Sequence, residues 1–169
     1  MIGIVIKYDR KNVDTDLIIP ARYLTNSDPL HLEKHCMEDL DPEFIKKREK
    51  FGYSIIVGDS NFGSGSSREQ APLAIKAAGI QCIIAPSFAR IFFRNAINIG
   101  LPIIEFQNIN ELNNGDELDI NFEEGFLKNL TTNKKFTIKK MPTFLQEIIS
   151  ANGLVNYARN IILKKENIN

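Results

Sequence analysis

Three short apolar runs alternate with two helical segments between residues 53 and 106, and this alternation restricts the possible folds more than any other feature of the chain. The apolar runs are residues 53–57, 81–85 and 103–106. Each has the length of a buried strand, and Gly79 and Gly100 follow the helical segments, where helices commonly end. Strands that alternate with helices pair in parallel through right-handed crossovers, so the sequence predicts an α/β fold.

The flanking segments predict one further strand before this alternation and an antiparallel meander after it. Residues 2–6 are apolar and precede a polar loop, as a first strand would. Residues 117–122 and 135–139 alternate polar and apolar side chains, which is typical of antiparallel strands with one buried face. Two closing helices are predicted at residues 143–150 and 154–164.

Residues 26–50 are polar, and we expect them to form short helices outside the core. Asp28 and Pro29 suit the cap and the first position of one such helix. No repeat or linker divides the chain, which predicts a single domain over residues 1–169 with a frayed tail at about residues 164–169.

The balance of charges argues against a polyanionic partner. The chain carries 21 basic and 21 acidic side chains, so no overall field attracts nucleic acid or an anionic membrane. The apolar segment at residues 2–6 is too short for a signal peptide, and no segment approaches the roughly 18 apolar residues of a membrane-spanning helix. We therefore expect a cytoplasmic protein that binds neither nucleic acid nor a membrane.

The cysteines and histidines are too dispersed to predict a metal site. Cys82 lies in an apolar run and is typical of a buried strand. His31 and His35 would share one face of a helix just before Cys36, but no third or fourth ligand is close in sequence. Two thiols are also too few to hold an iron–sulfur cluster. We expect neither a metal nor a cofactor on this chain itself.

Residues 59–69 form a loop between an apolar run and a helical segment, the position at which α/β sheets bind ligands. The loop supplies backbone freedom, hydroxyl groups and a cation, from Gly63 and Gly65, Ser66 and Ser67, and Arg68. Glycines let the backbone approach a ligand closely, and a guanidinium can bind a carboxylate at two points. The same donors would stabilise a serine alkoxide, which a serine needs to act as a base. The loop therefore predicts a small-anion site.

Ordinary helix capping is an alternative for the same residues. Ser66 and Glu69 have the spacing of a capping box, in which each side chain binds the backbone of the other. Pro72 conflicts with this because it would lie inside the helix that such a cap begins. Either the first turn is irregular, or residues 66–70 form a shaped loop and regular helix begins near Pro72. The sequence has the pattern of neither a phosphate-binding P-loop nor a dinucleotide fingerprint.

Several motifs in a fixed order resemble the swivel domain of the aconitase superfamily. They are Asp14-Thr15-Asp16, Ile19-Pro20, Gly65-Ser66-Ser67-Arg68-Glu69, and the segments at 87–92 and 98–102. Within the superfamily the chain is most similar to the small subunits of 3-isopropylmalate dehydratases, over most of residues 1–165. The resemblance implies a three-layer β/β/α swivelling domain, with a mixed sheet of parallel core strands and an antiparallel meander.

The resemblance also implies a hydro-lyase activity, the interconversion of 2-isopropylmalate and 3-isopropylmalate by dehydration and rehydration in leucine biosynthesis. Ser66 matches the base that takes the carbon-bound proton, and Ser67 and Arg68 match residues that bind a substrate carboxylate. Asp16 matches a residue that supports the active site from the first loop. The [4Fe–4S] cluster belongs to a separate large subunit in this family. The chain would then be active only in a heterodimer or heterotetramer with that subunit.

Substrate choice is expected to depend on the segment after Tyr23 and Leu24. Homoaconitases, the alternative within the family, carry an arginine after this pair to bind an extra carboxylate, whereas this chain has Thr25. A short neutral side chain suits an isopropyl group, so Thr25 is predicted to line the substrate site, although Arg22 is close enough in sequence to bind a carboxylate instead. A different class of function is a non-catalytic, anion-binding module that shares the swivel fold.

Three more polar residues, Ser64, Arg90 and Arg94, lie in or near these motifs. Ser64 stands where relatives often carry cysteine or glutamate, and we expect it to affect packing more than chemistry. Arg90 and Arg94 lie four residues apart on one predicted helix. They are expected either to be solvated or salt-bridged, or to lie at the large-subunit interface or near the substrate.

Overall fold

The computed structural model of the chain describes residues 1–166, in which seven strands form one mixed sheet. The strands are β1 (Ile2–Lys7), β2 (Tyr53–Val57), β3 (Cys82–Ala85), β4 (Ile103–Glu105), β5 (Glu117–Asn121), β6 (Phe126–Asn129) and β7 (Lys134–Thr137). Their order across the sheet is β4-β3-β2-β1-β5-β6-β7. Strands β1 to β4 pair in parallel, and β5 to β7 continue the sheet beyond β1 with antiparallel pairing. The predicted parallel core and antiparallel meander are confirmed, although the meander has three strands and the sequence predicted no strand at β6.

Seven α-helices lie within the same residues. They are α1 (Thr15–Ile18), α2 (Pro29–Lys34), α3 (Phe44–Phe51), α4 (Gln70–Ala77), α5 (Arg90–Asn98), α6 (Thr143–Ser150) and α7 (Leu154–Glu166). Asp28 caps α2 as predicted, since its Oδ1 accepts a hydrogen bond from Leu30 N at 3.2 Å. Helix α7 continues past its predicted end at residue 164, and residues 167–169 of the expected frayed tail lie outside the described residues. No helix in the described part is both long and apolar enough to span a membrane.

The sheet has an apolar cluster on each face, because successive side chains of a strand point to opposite sides. On one face, Ile56 and Ile83 belong to a cluster with residues of the helices. On the other face, Val57 and Ile84 belong to a second cluster with residues of the meander such as Leu127. The parallel strands are therefore covered on both faces, which explains why they are apolar throughout.

The two ends of the strand order meet in space. Phe106, which directly follows β4, and Phe136 in β7 have ring centroids 5.3 Å apart, although β4 and β7 lie at opposite ends of the sheet. The sheet therefore folds back on itself, and the meander covers the face of the parallel strands that lies opposite the helices. Helices, parallel strands and meander form the three layers that the resemblance implies.

Residues 26–50 contribute to the core, so the prediction that they lie outside it is wrong. Leu32, Met37 and Phe44 are completely buried, and α2 packs against α4. The segment is polar on average because its many exposed positions carry polar and charged side chains. Its few apolar side chains nevertheless occupy the buried positions, and an average over the segment conceals them.

Candidate active site

Three loops remain side by side beyond the carboxyl ends of β1, β2 and β3. Asp14 lies beside Ser64, and Phe62 lies beside Phe88, in isolated parallel bridges. These bridges continue the order of the strands. The loop of residues 59–69, called the serine-rich loop below, therefore lies between the loop that follows β1 and the loop that follows β3. It therefore occupies the carboxyl edge of the parallel strands, where α/β sheets bind ligands.

Gly63 lets this loop cross α5 in close contact. Its φ is +77°, and a Cβ atom at this position would overlap Cγ of Phe92. Phe92 is itself buried and packs edge-to-face against Phe62, with ring centroids 5.6 Å apart. A side chain at residue 63 would therefore have to displace a core ring.

We expect Gly63→Ala to lower the free energy of unfolding by about 2–5 kcal/mol. A left-handed conformation costs about 1–2 kcal/mol for a residue with a Cβ atom, and overpacking adds about 1–3 kcal/mol. Gly115→Ala is the matched control, because Gly115 also has a positive φ, +86°, but no described atom lies within 4 Å of its added Cβ. Urea unfolding of both variants measures the difference. Equal losses would mean that the overlap with Phe92 is harmless.

Helix α4 begins at Gln70, which decides between the two interpretations of residues 66–70. Glu69, and not Ser66, occupies the cap position, and the Glu69 side chain makes no capping hydrogen bond within residues 1–166. The predicted capping box therefore does not form. Pro72 is the third residue of the helix, where a backbone N–H would have no helical partner in any case. Residues before Gln70 therefore form the shaped loop that the second interpretation requires.

Ser66 is exposed and is attached to the loop after β1 through Thr15. Ser66 N donates to Thr15 Oγ1 at 3.1 Å, and the two hydroxyl oxygens are 3.3 Å apart. Thr15 is the first residue of α1 and is only 1% exposed. The Ser66 hydroxyl therefore has solvent on one side and a fixed hydroxyl neighbour on the other.

Arg68 is anchored by the same loop and keeps one edge of its guanidinium unoccupied. Its Nη1 donates to Asp16 Oδ1 at 2.5 Å and to the Ile19 carbonyl at 3.3 Å. Its Nε and Nη2 have no acceptor among residues 1–166. Because Nε and Nη2 together form a two-point donor, Arg68 can bind a carboxylate while it keeps its contact with Asp16.

Asn95 on α5 fixes the loop at Ser67. Its Nδ2 donates to the Ser67 carbonyl at 3.3 Å, and the residue is 9% exposed. The Ser67 side chain itself is exposed, on the same loop as Ser66. Sequence reasoning missed Asn95, although a polar residue among the buried side chains of α5 was an available signal. It also gave no role to Thr15, which lies inside a recognised motif.

Thr25 lies on an exposed segment that reaches the start of α4. Two residues later, Ser27 Oγ accepts a hydrogen bond from Gln70 Nε2 at 3.4 Å. This contact connects the segment to the end of the serine-rich loop. The structure therefore links Thr25 to that loop indirectly, whereas Asp16 and Arg68 are in direct contact.

The Arg22 guanidinium is already paired with carboxylates. Nη1 and Nη2 donate to Asp39 at 2.9 and 2.5 Å, and Nη2 also donates to Glu38 at 3.2 Å. The guanidinium also lies over the Tyr23 ring, 4.7 Å from its centroid. Hydrogen bonds from Arg22 hold the pKa of the Asp39 carboxyl below its usual value. Arg22 is therefore not the free cation that a substrate carboxylate would need.

Ser64 contributes to the site through its backbone. Its carbonyl accepts a hydrogen bond from Thr15 N at 2.8 Å.

Arg90 and Arg94 are exposed on α5, and no acidic side chain in the described part of the chain forms a salt bridge with either. Contact of these two arginines with a partner or a substrate stays a prediction.

The two thiols are separated by the sheet. Cys36 belongs to the apolar cluster on the helix side, and Cys82 belongs to the cluster on the meander side. Both are buried, and burial raises the pKa of each thiol. Residues 1–166 contain no group of three or more histidine, cysteine or acidic side chains that could share a metal ion. The side chains of this chain therefore do not fit an iron–sulfur cluster, which needs several thiolates at one place.

Comparison with known proteins gives the family. The aconitase C-terminal domain family matches residues 1–109. The 3-isopropylmalate dehydratase small subunit of Ruminiclostridium cellulolyticum is 55% identical over 159 residues, which cover 94% of this chain and 96% of that protein. The corresponding small subunit of Aliarcobacter butzleri is 55% identical over 148 residues, 88% of each chain. The crystal structure of 3-isopropylmalate dehydratase from Methanocaldococcus jannaschii matches with a TM-score of 0.88 at 42% identity, over 100% of both chains. The chain therefore belongs to the aconitase C-terminal domain family.

Proposed function

We propose that the chain is the small subunit of a 3-isopropylmalate dehydratase, a hydro-lyase that interconverts 2-isopropylmalate and 3-isopropylmalate in leucine biosynthesis. Relatives at 55% identity carry this name and match over nearly their whole length. The observation that carries the proposal is that one loop holds both the exposed Ser66 and Arg68, whose Nε and Nη2 have no acceptor among residues 1–166. That pair combines a proton acceptor with a carboxylate-binding group.

Ser66 is the base in this proposal. Dehydration removes a proton from the carbon beside the one that carries the hydroxyl group, and this carbon also bears a carboxylate. The Ser66 alkoxide takes that proton, and the resulting hydroxyl returns it during rehydration, so the two half-reactions balance. Exposure of Ser66 allows its own proton to leave to water before the first cycle.

Ser67 and Arg68 bind the carboxylate next to the reacting carbon. Negative charge builds up on this carboxylate as the proton leaves, and donors already in place stabilise it without reorganisation. Asp16 acts behind Arg68, because its Oδ1 accepts from Nη1 at 2.5 Å and leaves Nε and Nη2 to bind the ligand. In this proposal Asp16 orients the guanidinium of Arg68, and this is how it would support the active site from the first loop.

The large subunit completes the enzyme. Because the thiols of this chain lie on opposite faces of its sheet, we place the [4Fe–4S] cluster on the large subunit, where its iron would supply the Lewis acid for the departing hydroxyl. We expect a heterodimer or heterotetramer. Unpaired buried thiols are compatible with a reducing compartment, and we place the assembled enzyme in the cytoplasm.

An isopropyl group is the preferred substituent of the substrate. Thr25 is neutral, and Arg22 is occupied by Asp39 and Glu38. A second carboxylate in this region would therefore lack a cation, and an unpaired carboxylate is strongly rejected from a closed site. Homoaconitate, the alternative substrate, is disfavoured on this ground.

Thr25→Arg is expected to shift specificity towards homoaconitate. A charge-assisted hydrogen bond changes kcat/KM by about 10- to 100-fold, so we expect a gain of this size for homoaconitate and a loss for isopropylmalate. Thr25→Met is the matched control, because it adds length without charge. It should lower kcat/KM for isopropylmalate and give no gain for homoaconitate. Steady-state kinetics of the reconstituted complexes measure both. If the ratio of kcat/KM for homoaconitate to kcat/KM for isopropylmalate is unchanged in Thr25→Arg, then Thr25 does not line the substrate site.

The activity itself is tested by co-expression with the large subunit. We expect the two chains to co-purify and to convert 2-isopropylmalate, with the conjugated double bond of the dehydrated intermediate followed by its ultraviolet absorbance. A complex that turns over only homoaconitate would identify the alternative enzyme. A chain that binds isopropylmalate but yields no active complex would instead indicate the non-catalytic anion-binding module.

A further inference from the structure

Thr15 has a hydroxyl group that is buried and faces the proposed base. Its Oγ1 lies 3.3 Å from Ser66 Oγ and accepts the Ser66 N–H at 3.1 Å. With 1% of the residue exposed, water does not compete for this hydroxyl. The two contacts join the first residue of α1 to the serine-rich loop.

The position of Thr15 limits the partners of its hydroxyl group. A threonine inside a helix usually donates to the carbonyl four residues earlier, but Thr15 is the first residue of α1 and has no preceding helical turn. Its oxygen already accepts the Ser66 N–H. Either hydroxyl of the Thr15–Ser66 pair could donate in the resting state, but an alkoxide at Ser66 can only accept, so Thr15 is then the donor.

Gly65 allows this approach of the two hydroxyl groups. Its φ is +94°, and a Cβ atom at residue 65 would lie 3.1 Å from Thr15 Oγ1. Contacts of that length are tighter than ordinary packing, so a side chain there would push the loop away from α1. The backbone conformation thus keeps Ser66 against Thr15.

We propose that Thr15 is a positioning residue for Ser66, and that its hydroxyl donates a hydrogen bond to Ser66 Oγ throughout the reaction. This inference rests on the proposed function, because it assigns Ser66 as the base. The bond stabilises the alkoxide and fixes the position of Oγ on the loop. Thr15 keeps its own proton, while Ser66 takes the carbon-bound proton and returns it.

The contact is expected to shorten when Ser66 becomes an alkoxide. A distance of 3.3 Å is long for a bond between two neutral hydroxyl groups, whereas hydroxyl–alkoxide bonds are shorter and about twice as strong. Hydrogen bonds of catalytic groups commonly tighten when substrate binds. The Thr15 bond therefore stabilises the alkoxide more than the resting hydroxyl, which raises the fraction of Ser66 that is present as the base at a given pH.

The test compares Thr15→Val, which has the same shape without a hydroxyl, with Thr15→Ser, which keeps it. Both are assayed as complexes with the large subunit. We expect Thr15→Val to lower kcat by about 10- to 100-fold, with KM within about twofold of the wild type. The rising limb of the kcat–pH profile should move to higher pH, because the alkoxide is less stabilised. Thr15→Ser should recover most of kcat and the original profile.

Two outcomes would overturn the proposal: an unchanged kcat and pH profile in Thr15→Val, or an equal loss in Thr15→Ser with normal thermal unfolding. If valine prevents folding, Thr15→Ala replaces it in the same comparison with serine. Ser66→Ala separates this proposal from the proposed function. Full turnover of Ser66→Ala would reject Ser66 as the base, whereas an inactive Ser66→Ala together with a fully active Thr15→Val would reject only the role of Thr15.

Discussion

Ser66→Ala is expected to lower kcat of the reconstituted dehydratase by about 10³-fold, the size of a lost general base. Substrate binding should be retained, because Arg68 and Ser67 remain, and KM should change by no more than about threefold. The variant should also fold and bind the large subunit normally, since Ser66 is exposed and the hydroxyl of Thr15 is the one hydrogen-bond partner of its side chain among the described residues.

The control for this variant is Ser64→Ala on the same loop. Ser64 contributes a backbone carbonyl that accepts from Thr15 N, and alanine preserves that carbonyl. Turnover of Ser64→Ala should stay within about twofold of the wild type. Comparable losses in the two variants would indicate that the loop is sensitive to any change and that Ser66 has no specific part in proton transfer.

Arg68→Lys is expected to lower kcat/KM for isopropylmalate by about 100-fold. Lysine keeps the positive charge but loses the planar fork, so it cannot hold Asp16 with one edge and a carboxylate with the other. Loss of charge-assisted bonds of about 1.5–3 kcal/mol accounts for a change of this size. Because the same carboxylate gains charge in the transition state, both KM and kcat should be affected.

Arg159→Lys on the exposed surface of α7 is the control for this substitution. It makes the same chemical change away from the loop and should leave kcat/KM unaltered. Isothermal titration of the complexes with isopropylmalate separates the binding loss from the kinetic loss. Wild-type affinity in Arg68→Lys would exclude the two-point contact that we assign to Nε and Nη2.

Local patterns were sufficient to predict the parallel part of the sheet. The alternation of apolar runs and helical segments between residues 53 and 106 reflects strands buried on both faces, and such strands are apolar throughout. The contact between Phe106 and Phe136 could not be predicted in this way. This contact depends on the curvature of the whole sheet, which brings its two ends together and cannot be inferred from the sequence of any single segment.

The chemistry of the candidate site stays a prediction, and its geometry could be predicted only in part. The loop composition indicated an anion site, and the family motifs indicated Ser66 and Arg68. The contacts of Thr15 with Ser66 and of Asp16 with Arg68 join residues 51 and 52 positions apart in the chain. A spacing rule cannot find such pairs, because they form only when the loops after β1 and β2 are aligned by the strands that precede them.

The capping box shows how a local rule can be overridden. Ser66 and Glu69 have the correct spacing, but the hydroxyl of Ser66 meets Thr15 instead of the backbone of the helix. A buried threonine from another segment competes successfully with a bond that the isolated peptide could make. Pro72 left two interpretations open in the sequence, and a tertiary contact of this kind could not be used to choose between them.

The edge strands of the sheet limit how this chain can associate with others. Strands β4 and β7 have only three and four residues, and β7 carries Lys134 and Lys135. Short strands with lysines are poor templates for the addition of a foreign strand, and they protect a sheet against edge-to-edge aggregation. The free chain is therefore protected against polymerisation through its sheet edges, the usual hazard of a sheet with open ends.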